Sequence, residues 1–250
     1  MGRMQGKVAV VTGAASGIGR AVARQMIAEG ATVLGADVNA DKLQELATEL
    51  GESLQVVAGD LSDSADLARV VTAVQQAGGA DILINNAGIV DHFTPVTEMD
   101  DETWDRVLAI NITAPMRLTR ALVPQMIAKG GGSIVNVASI GGMTGGAGGA
   151  AYTASKHALI GLTRHTSFFY GPQGVRCNAI CPAGVETNIA DGGATPASAW
   201  AWERMQTQFP RGQRMASPEE ISSLITWLAA DESVNVNGAI VASDGGWTAA

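Results

Sequence analysis

Two residues four apart carry the first chemical signal in this chain, Tyr152 and Lys156. Apolar spacing predicts a helix over 152–169. Residues four apart on a helix leave from the same face. An ammonium beside a phenol favours the phenolate and lowers the tyrosine pKa from about 10. That suits a general acid and base. Ser139 lies just past a strand predicted at 133–137, where its hydroxyl could polarise a carbonyl oxygen. The chain has three His and two Cys, and none are spaced as a metal-ligand cluster. Proton movement is therefore expected to run through side chains.

Another signal lies near the start. A strand at 7–11 runs into Thr12-Gly13-Ala14-Ala15-Ser16-Gly17-Ile18-Gly19, and a helix over 18–29 follows. Glycines there let the backbone turn tightly and approach a pyrophosphate. The helix N-terminus offers free N–H groups and partial positive charge to the anion. The candidate contacts are Gly13, Ser16, Gly17, Ile18 and Gly19. The spacing is neither G-x-G-x-x-G nor a Walker loop. Asp37 closes the second strand, about 20 residues past the glycines, where a carboxylate can accept from adenosine ribose hydroxyls. It would repel a 2′-phosphate, and no Arg or Lys lies in the turn before Gly19. NAD(H) is expected over NADP(H). Asp60 and Leu61 end the third strand, with Asp60 expected at the adenine edge. Asn85, Asn86, Ala87 and Gly88 end the fourth, where the run could hold backbone beside the cofactor.

Around these residues, further strands are predicted at 32–36, 54–58, 82–84, 133–137, 175–180 and 239–241. Helices are predicted at 40–50, 64–76, 102–128, 152–169 and 219–229, with Pro115 and Pro124 bending the long fourth one or marking its sub-segments. Unbroken Val/Ile/Leu runs are the mark of strands buried on both faces. Their alternation with amphipathic segments predicts an α/β fold: one doubly wound, Rossmann-like parallel sheet of about seven strands with helices on both faces. No linker divides the 250 residues, so one domain is expected.

Composition excludes several classes. The formal net charge is −8 and the cations are scattered singly, so a nucleic-acid partner is not expected. No apolar run approaches the roughly 18 residues of a membrane span. Val8–Val11 is too short for a signal-peptide core. Cys177 and Cys181 are too few for a disulfide framework, which fits a reducing, cytoplasmic setting.

Taken in order, Thr12-Gly13-x-x-x-Gly17-x-Gly19, Asn85-Asn86-Ala87-Gly88, Asn111, Ser139 and Tyr152-x-x-x-Lys156 resemble the short-chain dehydrogenase/reductase family in its compact form. Pro182, Thr187, Ser217-Pro218-Glu219-Glu220 and Asp244-Gly245-Gly246 extend the likeness over nearly the whole chain. The resemblance implies an alcohol–ketone oxidoreductase with Ser139 holding the substrate oxygen and Tyr152 transferring the proton. Lys156 would bind the nicotinamide ribose and lower the Tyr152 pKa. Asn111 would distort its helix and keep a water that links Lys156 to solvent. Pro182, Val185 and Thr187 would flank the nicotinamide. A homotetramer is implied, built on the helices containing Asn111 and Tyr152. One departure is Ala183, where the family usually has Gly. Its methyl is expected to narrow the pocket near Gly184.

Residues 187–214 interrupt the pattern and are expected to cover the site as a lid. Trp200, Trp202, Met205 and Phe209 give this segment a large apolar payload, used either for substrate or for packing. Val90, Ile140 and Met143 would add to an apolar wall. His92 is expected in a surface loop, and His157 and His165 in structural positions. Two other readings compete: a 3-oxoacyl-carrier-protein reductase, and a non-catalytic NAD-binding member.

Overall fold

A computed structural model describes residues 2–187, 189, 198–208 and 214–249. The apolar runs become strands β1 (Val8–Thr12), β2 (Thr32–Asp37), β3 (Leu54–Ala58), β4 (Ile82–Asn85), β5 (Gly132–Val137), β6 (Val175–Pro182) and β7 (Ile240–Ser243). They form one sheet in the order β3-β2-β1-β4-β5-β6-β7. Every pairing is parallel. Between them run helices α1 (Gly17–Ala28), α2 (Ala40–Leu50), α3 (Ser64–Gln76), α4 (Asp101–Leu108), α5 (Ala114–Ala128), α6 (Ala150–Tyr170), α7 (Ala199–Gln206) and α8 (Pro218–Ala229). None of the described helices is long and apolar enough to cross a membrane.

Alternate residues of each strand enter opposite cores. Ala9 and Val11 pack with Val22 and Met26 of α1, Leu43 and Leu46 of α2, and Ile221 and Ile225 of α8. Val10 between them packs with Val70 and Val74 of α3 and Leu118 and Leu122 of α5. Leu159 and Ile160 of α6 join Ala138, just past β5, and Ala179 and Cys181 on β6. Burial on both faces is why these strands show no polar alternation. The strand order reverses between β1 and β4, which opens a crevice at the carboxyl ends of the strands.

The helix predicted over 102–128 is divided. A π-helical turn, Ala109–Thr113, separates α4 from α5. Pro115 follows at once and has no N–H to give the Asn111 carbonyl four residues earlier. Pro124 lies inside α5 without ending it. Thus Pro115 marks a sub-segment and Pro124 does not. At the other end of the chain, Ser217 and Glu220 close a capping box on α8. Arg214 donates to both Glu220 oxygens at 2.7 Å. That pairing holds the Glu220 carboxyl at about 2.

Candidate active site

A cleft of about 740 Å³ runs along the carboxyl ends of β1 to β6. Its first end is the turn after β1. Gly13 and Gly17 have φ of +67° and +49°, which glycine alone adopts without strain. Gly19 is required for space, because a Cβ there would run into the Gly13 carbonyl and the Asn86 amide. The first amides of α1 have no intrahelical acceptors, and the Ser16 side chain does not cap them. Asp37 stands beside this turn. One of its oxygens accepts from the Ala15 N–H and the other from the Asn39 N–H, both at 2.9 Å.

The Asn85–Gly88 run pins this end to the sheet. Asn86 Nδ2 donates to the Thr12 carbonyl at 2.8 Å, and the amides of Asn86 and Ala87 both reach Thr12 Oγ1 at 3.0 Å. Asp60 and Leu61 line the cleft as expected. The Asp60 carboxylate, however, is already engaged. It accepts from Ser62 N and Oγ at 2.9 and 2.8 Å and from Arg106 Nη1 at 2.7 Å. Arg106 also lines the cleft.

Tyr152, Lys156 and Ser139 converge at the inner end. They are 9%, 3% and 9% exposed. Ser139 follows β5 and accepts from the Gly141 amide at 3.0 Å. Lys156 Nζ donates to the Val137 carbonyl at 2.9 Å and lies 5.5 Å from the centre of the Tyr152 ring. The electrostatics correct one expectation. Burial raises the Tyr152 phenol above its ordinary value, and the hydrogen bond from Ser139 works against that rise. The net direction is upward, against the lowering expected from the Tyr152–Lys156 pairing. Burial brings Lys156 itself down to about 8, with nearby Cys181 opposing. Asn111 stands behind the cleft, fully buried. Its side chain bonds both backbone groups of Ile89 at 2.9 Å and donates to Ser155 Oγ at 3.1 Å. Ser155 in turn donates to the Tyr152 carbonyl at 2.7 Å.

Pro182, Ala183, Gly184, Val185 and Thr187 follow β6 and line the cleft. A Cβ on Gly17 would lie 2.9 Å from Thr187 Cγ2, so this loop closes directly on the Gly turn. Ala216 returns to the same place. It bridges to Val185, its amide donates to the Gly184 carbonyl at 3.0 Å, and its carbonyl accepts from Glu186 at 2.9 Å.

The substrate side differs from expectation at two residues. Ile140, Val90, Ala183 and Gly184 line the cleft, but Met143 and Trp200 do not. A 3₁₀ turn over Ile140–Gly142 turns Ile140 inward and leaves Met143 41% exposed. Trp200 is 59% exposed on α7, and its indole N–H donates to Glu98 at 2.8 Å. Phe93, Ile110, Met205, Met215 and Trp247 form the apolar wall instead. Trp202 backs it through a ring contact with Phe93 at 5.5 Å. Much of the expected lid, including Phe209, lies outside the described residues.

The family model described as enoyl-(acyl carrier protein) reductase matches residues 13–248. The "3beta-hydroxysteroid dehydrogenase 2" of Eggerthella lenta is 42% identical, over 98% of this chain and 96% of that protein. Further curated relatives carry the name short-chain dehydrogenase/reductase. The chain belongs to the short-chain dehydrogenase/reductase family. Solved structures agree. One from Beutenbergia cavernae with NADP bound at low occupancy superposes with a TM-score of 0.87 at 37% identity, covering 98% of both chains. A 3-ketoacyl-(acyl-carrier-protein) reductase from Brucella melitensis, solved with NADH, gives 0.88 at 28% identity, covering 98% of this chain and 99% of that one.

As a member of this oxidoreductase family, the chain shows which site residues its sequence concealed. Arg106 meets Asp60 from α4, and Met215 packs where Gly184 leaves no room for a side chain. No local motif announces either one. Phe93 and Asp91 follow the Asn85–Gly88 run closely, and that position was the available clue.

Proposed function

We propose that this member of the family is an NAD(H)-dependent oxidoreductase that interconverts a secondary alcohol and a ketone, with Tyr152 as the general acid and base. One observation carries the reading. Tyr152, Lys156 and Ser139 meet at the inner end of the same cleft that begins at the Gly turn and Asp37. The residues fit a dinucleotide: open α1 amides for a pyrophosphate, a seated carboxylate for ribose hydroxyls, and a glycine cradle that a side chain would fill. NAD(H), when bound, supplies or accepts the hydride.

The protein's own groups handle the oxygen. Ser139 donates to the substrate oxygen and holds it beside the Tyr152 hydroxyl. In reduction Tyr152 gives its proton to that oxygen; in oxidation its phenolate takes the proton back. Lys156, at about 8, is cationic at neutral pH and lies over the Tyr152 ring, where it would bind the ribose hydroxyls of the cofactor. The widened turn Ala109–Thr113 would keep a water that links Lys156 to solvent. Asp37 supports NAD(H) over NADP(H), since its carboxylate, fixed by two backbone amides, repels a 2′-phosphate.

The wall of Phe93, Met205, Met215 and Trp247 favours a largely apolar ketone. The Eggerthella lenta relative makes a hydroxysteroid the first candidate to try. Residues 187–214 would form the lid. Phe168 and Phe169, exposed on α6, support self-association, with a tetramer as the expected form. The free, buried cysteines fit a cytoplasmic setting.

The test is a panel of ketones and secondary alcohols, with hydroxysteroids among them, assayed with both reduced and oxidised NAD and NADP. Turnover with NAD(H) that disappears in Tyr152→Phe supports the proposal. A purified, cofactor-binding protein that turns over none of them sinks it.

A further inference from the structure

The N-terminus of α6 raises a question of hydrogen-bond satisfaction. Its N-cap is Gly149, which has no side chain to serve the first amides, yet Tyr152 sits in that first turn. Helix-opening N–H groups without acceptors are costly when buried. Here the acceptors come from far along the chain. Asp91 Oδ1 accepts from the Gly149 amide at 3.1 Å, and Oδ2 accepts from the Tyr152 amide at 2.9 Å. The Thr94 carbonyl takes the Ala150 amide at 2.9 Å.

Asp91 is fully buried. The turn that delivers it is unusual. His92 and Phe93 both have left-handed backbones, with φ of +54° and +57°. L side chains adopt that region rarely and keep it only where the surroundings over-determine it. Three contacts do so. Thr94 N and Oγ1 donate to the Asp91 carbonyl at 3.0 and 2.6 Å, and the Phe93 ring meets Trp202. Gly149 fits the same design, since a side chain there would collide with both Asp91 oxygens.

We propose that Asp91 is a positioning residue for Tyr152, acting as a remote N-cap that fixes the height at which the tyrosine enters the cleft. The inference rests on the function proposed above. Both carboxylate oxygens accept from backbone amides at the start of α6, so Asp91 acts on the helix. A carboxylate in contact with positive helix-end amides is favourable in such a place. Its charge has a further effect. Four groups face the Tyr152 phenol: Lys156 over the ring, Ser139 donating to it, and Asp91 and Cys181, which both disfavour the phenolate. Asp91 thus holds the tyrosine in place and also adds to the rise that burial imposes on its phenol.

The chain has only two tyrosines, Tyr152 and Tyr170, which permits a direct test. In a Tyr170→Phe background the near-ultraviolet absorbance of tyrosinate reports Tyr152 alone, with Tyr152→Phe as the blank. Asp91→Asn keeps the shape but loses the charge and one acceptor. We expect its Tyr152 titration midpoint to fall by about one unit, and kcat to fall by about tenfold to a hundredfold. NADH binding, read by fluorescence, should be unchanged. Gly149→Ala displaces the carboxylate without removing it. It should lose kcat similarly while its titration midpoint does not fall. A midpoint that stays put in Asp91→Asn, or a wild-type kcat in both variants, overturns the assignment. The titration needs no substrate. If the parent protein shows no turnover at all, the alcohol–ketone reading fails while the midpoint still judges Asp91.

Discussion

The two ends of the sheet offer opposite treatments of polar groups. At the carboxyl ends of the strands lies the long cleft. At the amino ends lies a smaller hollow of about 390 Å³, lined by Arg3, Lys7, Lys129, Arg176, Asp81 and Asp231 among others. By charge alone the smaller hollow would make the better binding site. Its groups, however, satisfy one another. Lys129 Nζ bonds Asp81 and the Gly79 carbonyl at 2.8 and 2.9 Å. Arg176 donates to the carbonyls of Leu228, Ala229, Ala230 and Val236, closing the C-terminus of α8. At the cleft, by contrast, the α1 amides remain open, and Ser139 and Tyr152 line the cavity. A functional hollow is distinguished by groups that are held in place yet left with a working atom to spare.

The largest expected effect tests the cleft. Tyr152→Phe should lower turnover by about a thousandfold or more, while NADH fluorescence shows binding intact. If most of the rate survives, the cleft has lost its claim to be the reactive end. Next comes the opposite hollow. Arg176→Ala should cost about 2–3 kcal/mol of stability in urea unfolding, because several carbonyls lose a buried cation. Its kcat per folded molecule should match the parent. A selective loss of kcat there would erase the distinction between the two ends.

Lys156 sharpens the comparison through pH. Its folded value of about 8 lies below the ordinary 10.5, so between these values the unfolded chain binds more protons. Stability should therefore rise with pH across that window. Lys156→Met should flatten the rise and be more stable near neutral pH by about 1–3 kcal/mol. Thermal melts of both proteins across that range check the sign. A variant less stable at neutral pH would show that Lys156 is paired for the fold, as Lys129 is. The smallest effect concerns Asp37→Ala. It should move the NAD/NADP preference in kcat/KM toward NADP by about tenfold. An unmoved ratio would leave Asp37 a mere strand-end residue.

The architecture was legible because strands buried on both faces advertise themselves as unbroken apolar runs. The Gly turn was legible for a related reason, since three glycines are needed for three separate steric demands. Asp37, Ser139 and the Tyr152–Lys156 pair could be placed from their strand ends and helix spacing. Other features depended on geometry that spacing does not encode. Met143 is sent outward by a 3₁₀ turn, and Trp200 by the rotational phase of α7, which buries Ala201. Arg106 on α4 reaches Asp60 just beyond β3, a long-range pairing that no local spacing encodes. The sign of the Tyr152 shift depends on how deeply the helix sinks, and a four-residue interval does not contain that depth.

The bridge between Val185 and Ala216 has one more consequence. It holds two segments far apart in sequence at a single spot beside the Gly turn. Once two ends are clamped together, lengthening what lies between them is cheap: doubling a flexible loop costs about 0.6 kcal/mol. The interval between Val185 and Ala216 is thereby open to changes of length, while the bridge and the groups beside it keep their places.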